Sequence, residues 1–327
     1  MRFDIAIATD SNYIVPTTVL LKSLFDNNKD IDFTVNILYL VESLDLKDLT
    51  WLENYIISNG QKVRKLPVTS EDLGEVPECR HTKSTFLRLL LPDLLPREVE
   101  RVLYLDGDIV INGSILDLLM MELGTNCIAG VKDSINIYDK SYLPNLGIPA
   151  DRDYFNAGVL LMNIVELRTR DACKTFFSYL RDHINIIRAN DQDVLNATLY
   201  DSVKFISPRY NYNFWLEKDV ALMMFPSSLY KEVWANPIII HYIGPVKPWT
   251  YLSMHPKKYI WWKYLYLTPF KDYEPLNRTM VNRLKYPFIY ILSLIKRNCS
   301  LSFKKKLGSF IPDKIKQPIK SLFFRTQ

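Results

Sequence analysis

Over the first 250 positions, short apolar runs alternate with polar clusters and with stretches whose apolar residues recur at helical spacing. Phe3-Asp4-Ile5-Ala6-Ile7-Ala8 predicts a buried strand ending in the polar loop Thr9-Asp10-Ser11-Asn12. Leu20, Leu21, Leu24 and Phe25 then place a helix in 17–28, residues 33–40 are strand-like, and 44–58 is amphipathic with Gly60 as its stop. A strand at 63–68 completes a β-α-β-α-β order, which implies a parallel sheet with helices on its faces. The rhythm continues with a helix at 84–91 that stops before Pro92. A strand at 101–105 runs into Asp106-Gly107-Asp108, with apolar 109–111 behind it. Helices follow at 114–123, 170–184 and 191–199, with strands at 127–131, 159–163 and 203–206. Beyond these lies an irregular aromatic stretch with Tyr210, Tyr212, Phe214 and Trp215. The expected fold class is α/β, a Rossmann-like mixed, mainly parallel sheet with helices on both faces. Ligands of such sheets bind beyond the carboxyl ends of the strands, which brings Asp10 and the Asp106/Asp108 pair to one crevice.

Composition narrows this picture. The chain has 327 residues, 48% of them hydrophobic and 24% charged, with only 10 glycines, as in an ordinary globular protein with ample core. Cys79, Cys127, Cys173 and Cys299 form no ligand-like cluster and suggest free thiols in a reducing compartment. No leader pattern is apparent after Met1, and the apolar run 286–295 is short of the roughly 20 residues that span a bilayer. A cytoplasmic protein is expected. The four Asn-x-Ser/Thr sequons, at Asn112, Asn196, Asn277 and Asn298, carry little weight in that setting. The net charge of +5 hides an asymmetry: from Lys271 on, 13 Lys/Arg face 3 Asp/Glu. Of the totals of 41 and 36, that leaves 28 against 33 in residues 1–270. We therefore expect a catalytic domain over 1–270 and a basic, aromatic segment over 271–327.

The Asp-x-Asp pattern occurs four times, at Asp30/Asp32, Asp106/Asp108, Asp151/Asp153 and Asp191/Asp193. Only Asp106/Asp108 is set between apolar stretches. Two carboxylates carried into an apolar crevice repel each other and lose hydration, so they call for a cation. Hard oxygen ligands suit Mg²⁺ or Mn²⁺, which could bridge the phosphates of a nucleotide sugar. A plain turn with two solvated aspartates is the bland alternative. The string Leu105-Asp106-Gly107-Asp108-Ile109-Val110 also fits the nucleophile motif of haloacid-dehalogenase-type phosphatases. That motif belongs near the start of a chain and needs a later acidic pair, whereas here about 100 residues precede it and no suitable pair follows.

Four stretches, in order, resemble family 8 glycosyltransferases, which include bacterial lipopolysaccharide galactosyl- and glucosyltransferases and count glycogenin as a relative. Ile7-Ala8-Thr9-Asp10-Ser11-Asn12-Tyr13 is similar to the family's nucleotide loop, and Tyr104-Leu105-Asp106-Gly107-Asp108 to its metal motif. The segments 154–163 and 191–196 resemble the donor-sugar pocket, and 241–249 the third metal ligand with its diphosphate clamp. The resemblance implies a GT-A type fold and retaining, metal-dependent transfer of a hexose, glucose or galactose, from a UDP-sugar to a glycan or glycolipid acceptor. It implies Asp106, Asp108 and His241 as ligands of Mn²⁺ (or Mg²⁺). It also implies Ala8, Thr9, Asp10, Asn12, Arg88, Gly107, Asn156, Ala157, Asp191, Gln192, Gly244 and Lys247 as donor contacts. Physical chemistry agrees with several of these. An imidazole suits Mn²⁺ slightly better than Mg²⁺, Lys247 offers a point charge to phosphates, and glycine at 244 lets backbone approach them. An arginine in the apolar run 86–91 needs acidic or carbonyl partners unless it snorkels to water. Asp191 sits where a helix N-cap is expected.

Retaining glycosidases use a carboxylate nucleophile, but the position that the resemblance places nearest the anomeric carbon is Gln192, a poor nucleophile. Same-face attack is therefore favoured, with the departing phosphate taking the acceptor's proton and with Asp133 and Asp191 positioning the sugar. In the tail, Lys304-Lys305-Lys306, Lys314, Lys316 and Lys320 interleave with Phe288, Phe303, Phe310, Phe323 and Phe324. This suits peripheral binding to an anionic surface at the inner face of the cytoplasmic membrane, and no recognised motif points to nucleic acid. The alternative from another class is a catalytically silent sugar-nucleotide or glycan-binding module.

Overall fold

The protein was analysed as a computed structural model, which describes residues 2–74, 76, 83–213 and 218–298. Cys79, Cys299, Phe214, Trp215 and the lysine-rich part of the tail lie outside the described residues. The chain divides into two compact units. Residues 1–211 with 236–241 form the first, and 212–235 with the stretch from Tyr242 onward form the second.

The first unit is built on a seven-stranded sheet. Its strands are β1 (Arg2–Ala8), β2 (Asp32–Leu40), β3 (Lys62–Val68), β4 (Arg101–Leu105), β6 (Ile128–Lys132), β7 (Phe155–Asn163) and β8 (Val203–Phe205). Their order across the sheet is β3-β2-β1-β4-β7-β6-β8. The neighbours from β3 to β4 are parallel, as are β6 and β8, whereas β7 runs antiparallel to both β4 and β6. The sheet is mixed and mainly parallel, as expected. Its central strands are apolar on both faces because helices cover both. On one face Phe86, Leu87, Leu89, Phe176, Leu180, Val194 and Leu195 pack against Ala6, Val102, Tyr104, Leu160 and Met162. On the other, the helix Ile14–Asn27 meets β2, where the rings of Phe25 and Phe33 lie 6.4 Å apart.

Two short strands, β5 (Ile109–Ile111) and β9 (Ile239–His241), pair antiparallel beside the sheet, with Ile109 opposite His241. The free edge of β5 would leave buried backbone groups unpaired. Side chains of the neighbouring helix meet that need: Ser23 Oγ accepts from Ile111 N at 2.9 Å, and Asn27 Nδ2 donates to Ile111 O at 3.0 Å. The helix thereby holds the strand that follows Asp108.

Several expected boundaries move. Strand β7 begins at Phe155 rather than 159. The expected helix 84–91 is a 3-10 helix, Lys83–Leu90, which runs on through Pro92 into an α-turn, Leu91–Leu94. Proline is tolerated there because it falls in a first turn, where its missing N–H would have no helical partner. The expected helix 114–123 is only Leu116–Leu119. Carbonyls that would continue it are taken by distant donors: Arg101 Nη1 reaches Leu119 O and Met121 O at 3.3 Å, and Lys204 Nζ reaches Glu122 O at 2.7 Å.

The second unit, with helices Lys218–Met224, Ser227–Ala235, Lys258–Leu265 and Met280–Asn298, packs around aromatic side chains. Trp261 is fully buried, with the rings of Trp249 and Trp262 at 5.3 and 5.2 Å. Backbone bonds tie Leu276 to Trp249 and Tyr251, and the Tyr251 and Tyr286 rings lie 5.3 Å apart. The change of charge at 270 therefore falls within one packed unit. Among the described residues no helix is long and apolar enough to cross a membrane.

A fully buried carboxylate anchors the helix Asp191–Leu199. Asp193 accepts from Tyr142 Oη at 2.8 Å, Tyr154 Oη at 2.6 Å, and the N–H groups of Arg188 and Ala189 at 2.8 Å. Removing it takes the acceptor from two buried phenols and two part-buried backbone N–H groups at once. We expect Asp193→Ala to cost about 3 kcal/mol or more in urea unfolding, with Asp193→Asn costing less.

Candidate active site

The topology gathers one end of the sheet into a site. Strands β1, β4 and β6 finish there, followed by Thr9-Asp10, Asp106 and Asp133. Because β7 runs the other way, its beginning, Asn156-Ala157-Gly158, arrives at the same end. The Asp106 N–H donates to Gly158 O at 2.9 Å, and the Asp133 N–H to Tyr154 O at 2.7 Å. A strand read only from 159 leaves Asn156 outside it, whereas β7 from Phe155 carries Asn156 to this edge.

Asp106, Asp108 and His241 converge, each offering one ligand atom within 4.8 Å of the others. His241 Nε2 lies 3.2 Å from Asp108 Oδ1 and 3.6 Å from Asp106 Oδ2. Asp108 and His241 are buried. His241 reaches the pair because it closes β9 opposite Ile109, the residue after Asp108. The residues fit a divalent ion in two ways. Two carboxylates and an imidazole are a hard donor set that suits Mn²⁺ or Mg²⁺. The cradle is also shaped for them, since a Cβ at Gly158 would stand 2.2 Å from His241 Cε1 and 2.8 Å from Asp106 Oδ2.

Arg88 ties this centre to the neighbouring polar groups. Its Nη2 donates to Asp106 Oδ1 at 2.7 Å, its Nη1 to Ala157 O at 2.5 Å, and its Nε faces Asp191 Oδ2 at 2.9 Å. The guanidinium carbon also stacks 4.2 Å over the Tyr104 ring. Burial works against the Arg88 charge, but Asp106 and Asp191 outweigh it and hold the guanidinium protonated. It does not reach out to water. Burial pushes the Asp191 carboxyl up to about 7, although Arg88 pulls the other way. Asp191 is not the N-cap. That position belongs to Asn190, at φ 52°, a conformation asparagine tolerates better than most residues. Asp191 is the first helical residue, free to turn its carboxylate to Arg88.

Beside this lies a polar net. Gln192 Oε1 accepts from Ala157 N at 2.9 Å and Asn156 Nδ2 at 3.1 Å, and Gln192 Nε2 donates to Asp133 Oδ2 at 3.3 Å. Asn156 Nδ2 also donates to Asp133 Oδ2 at 3.0 Å. At the end of β1, Asp10 caps a 3-10 turn by accepting from Asn12 N and Tyr13 N at 2.9 and 3.2 Å. Burial raises its pKa, and those two N–H groups oppose the rise. Ala8 is half-buried, Thr9 is buried and hydrogen-bonds Thr17 at 3.0 Å, and Asn12 is exposed. Gly244 and Lys247 belong to the second unit. There Gly244 takes φ 87°, and Lys247 Nζ donates to Tyr242 O at 3.1 Å.

Tyr13, Tyr104, Gly158 and Asn211 also form part of the arrangement; the first three lie within the stretches that resemble the family, but none was given a role of its own. Tyr13 packs against Gly107, where a Cβ would stand 2.9 Å from its ring. Burial and then Asp108, Asp106 and Asp10 raise its pKa, so the phenol stays neutral beside the carboxylates. Its place directly after the Asp10 loop was the available signal. Asn211 gave none.

A Rossmann-like sheet with two aspartates and a histidine gathered at its carboxyl ends is the architecture of a GT-A glycosyltransferase. The profile of Glycosyl transferase family 8 matches residues 4–253, and the chain belongs to that family. It is 26% identical over 291 residues to a lipopolysaccharide 1,3-galactosyltransferase of Salmonella typhimurium, covering 87% of this chain and 84% of that one. It is 30% identical over 253 residues to a lipopolysaccharide 1,2-glucosyltransferase of Escherichia coli, covering 76% and 73%. In fold it is similar to the galactosyltransferase LgtC, solved with donor and acceptor sugar analogues, at TM-score 0.71 and 24% identity over 86% of this chain and all of that one. It is an enzyme, a glycosyltransferase.

The Gly158 cradle is directly testable. Gly158→Ala forces a methyl group into His241 and Asp106, and Mn²⁺ binding measured by calorimetry is expected to weaken about tenfold or more.

Proposed function

We propose that this glycosyltransferase moves a hexose, glucose or galactose, from a UDP-sugar to a glycan acceptor in lipopolysaccharide or other surface polysaccharide synthesis, with retention at the anomeric carbon. The observation that carries the reading is the convergence of Asp106, Asp108 and His241 beside the Asn156, Asp133, Asp191 and Gln192 net. The names of the Salmonella and Escherichia relatives support the hexose and the acceptor class. A Mn²⁺ or Mg²⁺ ion bound by Asp106, Asp108 and His241 would neutralise charge developing on the departing diphosphate.

The chain's own residues do the rest. The loop Ala8-Thr9-Asp10 with Asn12 holds the nucleoside, and Gly107 lets it approach the carboxylates. Arg88 pairs with both Asp106 and Asp191 and so offsets the repulsion between them. Asn156, Ala157, Asp191, Gln192 and Asp133 present donors and acceptors to sugar hydroxyls; the resemblance to the family assigns Gly244 and Lys247 to the diphosphate. Gln192 is held by three partners and carries no charge, so it orients the sugar rather than attacking it. The departing phosphate takes the acceptor's proton on the same face.

The second unit supports membrane contact, with residues 271–327 as the associating segment at the inner face of the cytoplasmic membrane. On the helix Met280–Asn298, Val281, Leu284, Phe288 and Ile291 recur at helical spacing and are 54–71% exposed. An apolar stripe beside a strongly basic segment suits an anionic lipid surface.

Donor hydrolysis across a panel of UDP-sugars, with and without Mn²⁺, tests the function. Metal-dependent release from UDP-glucose or UDP-galactose is expected, with Asp108→Asn slowing it about a hundredfold or more. No release from any donor would favour the silent binding module. Gln192→Ala should keep measurable turnover; complete loss with donor binding intact would give Gln192 a nucleophilic role. Paired Leu284→Glu and Phe288→Glu should reduce co-sedimentation with phosphatidylglycerol vesicles while sparing a soluble acceptor. Unchanged sedimentation would remove this helix from membrane contact.

A further inference from the structure

We infer that Asn211 is a positioning residue that sets which nitrogen of His241 faces the metal site and links that ligand to the donor-sugar net. The inference rests on the metal-site reading above. Asn211 is fully buried and directly follows the 3-10 turn Pro208–Tyr210. Within that turn, the Arg209 carbonyl accepts from Ile238 N at 2.9 Å, one residue before β9. One short segment thus anchors both the approach to His241 and the amide that touches it.

The direction of every hydrogen bond in the net follows from two backbone groups. A backbone N–H can only donate, so Ala157 N, 2.9 Å from Gln192 Oε1, and Gly158 N, 3.0 Å from Asn156 Oδ1, fix which end of each amide is oxygen. Asn156 Nδ2 and Gln192 Nε2 then both donate to Asp133 Oδ2, which accepts only as a carboxylate can. The same Asn156 oxygen lies 2.8 Å from Asn211, so Asn211 must present its NH₂ there. Its oxygen is left facing His241 Nδ1 at 3.0 Å. An oxygen acceptor requires a proton on Nδ1, which leaves Nε2, facing Asp108 and Asp106, as the nitrogen that can lend a lone pair to a metal. A lone pair held against two carboxylates is repulsive unless a cation lies between them. That is the tautomer a metal ligand needs, imposed through Asn211 by the backbone that also orders the sugar-facing residues.

Two measurements decide the matter. In the full-length protein with ¹⁵N-labelled histidine, free of metal, long-range ¹H–¹⁵N correlation should show a proton on His241 Nδ1. His241→Gln identifies its signals among those of the four histidines. An Nδ1 without a proton overturns the inference without any Asn211 variant. Mn²⁺ affinity in the presence of UDP then separates the two links. Asn211→Ala should weaken it roughly 10–100-fold. Asn211→Asp still accepts from Nδ1 and should stay within about threefold of wild type. Its second oxygen meets the Asn156 oxygen, however, so KM for the sugar donor should rise. An alanine variant that binds Mn²⁺ like wild type, or an aspartate variant as weak as alanine, overturns the inference. Failure of the wild-type protein to bind Mn²⁺ would instead remove the metal-site reading, and the ¹⁵N spectrum would still decide the tautomer.

Discussion

The antiparallel pairing of β7 with β4 is the constraint on which the centre depends. In the parallel part of the sheet, strand ends face one way and strand beginnings the other. Inserting one reversed strand brings the start of β7 against the end of β4, with Leu105 opposite Val159 and Asp106 bonded to Gly158. Backbone N–H groups of Ala157 and Gly158 then face the same crevice as the acidic strand ends. The strand supplies both the glycine that makes room for His241 and the donors that orient Gln192 and Asn156.

The electrostatics follow from that gathering. Asp106, Asp108 and Asp191 are brought close together, where like charges repel, and burial pushes the Asp191 carboxyl up. One buried cation, Arg88, answers two of them, Asp106 and Asp191, and does so with the fork geometry that lysine lacks. Asp106 nevertheless keeps one oxygen toward His241, so it is shared between a permanent cation and the metal site. Asp193 is the counterexample. It lies two residues from Asp191, but its donors are two phenols and two backbone groups rather than a cation, and it holds the helix in place.

Much of this was legible along the chain. The apolar runs located β1, β2 and β4 to within a residue or two, because a strand buried on both faces reads as continuous hydrophobicity; β3, an edge strand with exposed Lys62 and Lys65, lacks that pattern. The embedding of Asp106 and Asp108 between two such runs separated them from three look-alike pairs. The motif order placed His241, and the structure brings it to the same centre. The misjudged boundaries share a cause. At Leu90–Leu94, Met121–Leu123 and Asn190, the chain is held by distant donors or by a strained turn, and local pattern carries no record of these.

By itself the sequence determined the α/β class, the family and the identity of the groups offered to a cation, since periodicity and residue chemistry are local properties. Only the tertiary structure decided that β7 runs backwards, that Arg88 is enclosed rather than solvated, and that Asn211 sits between His241 and Asn156. Strand direction, burial and hydrogen-bond polarity depend on which distant segments meet. Asn211 and His241 are 30 residues apart, and neither neighbourhood in the chain records the other.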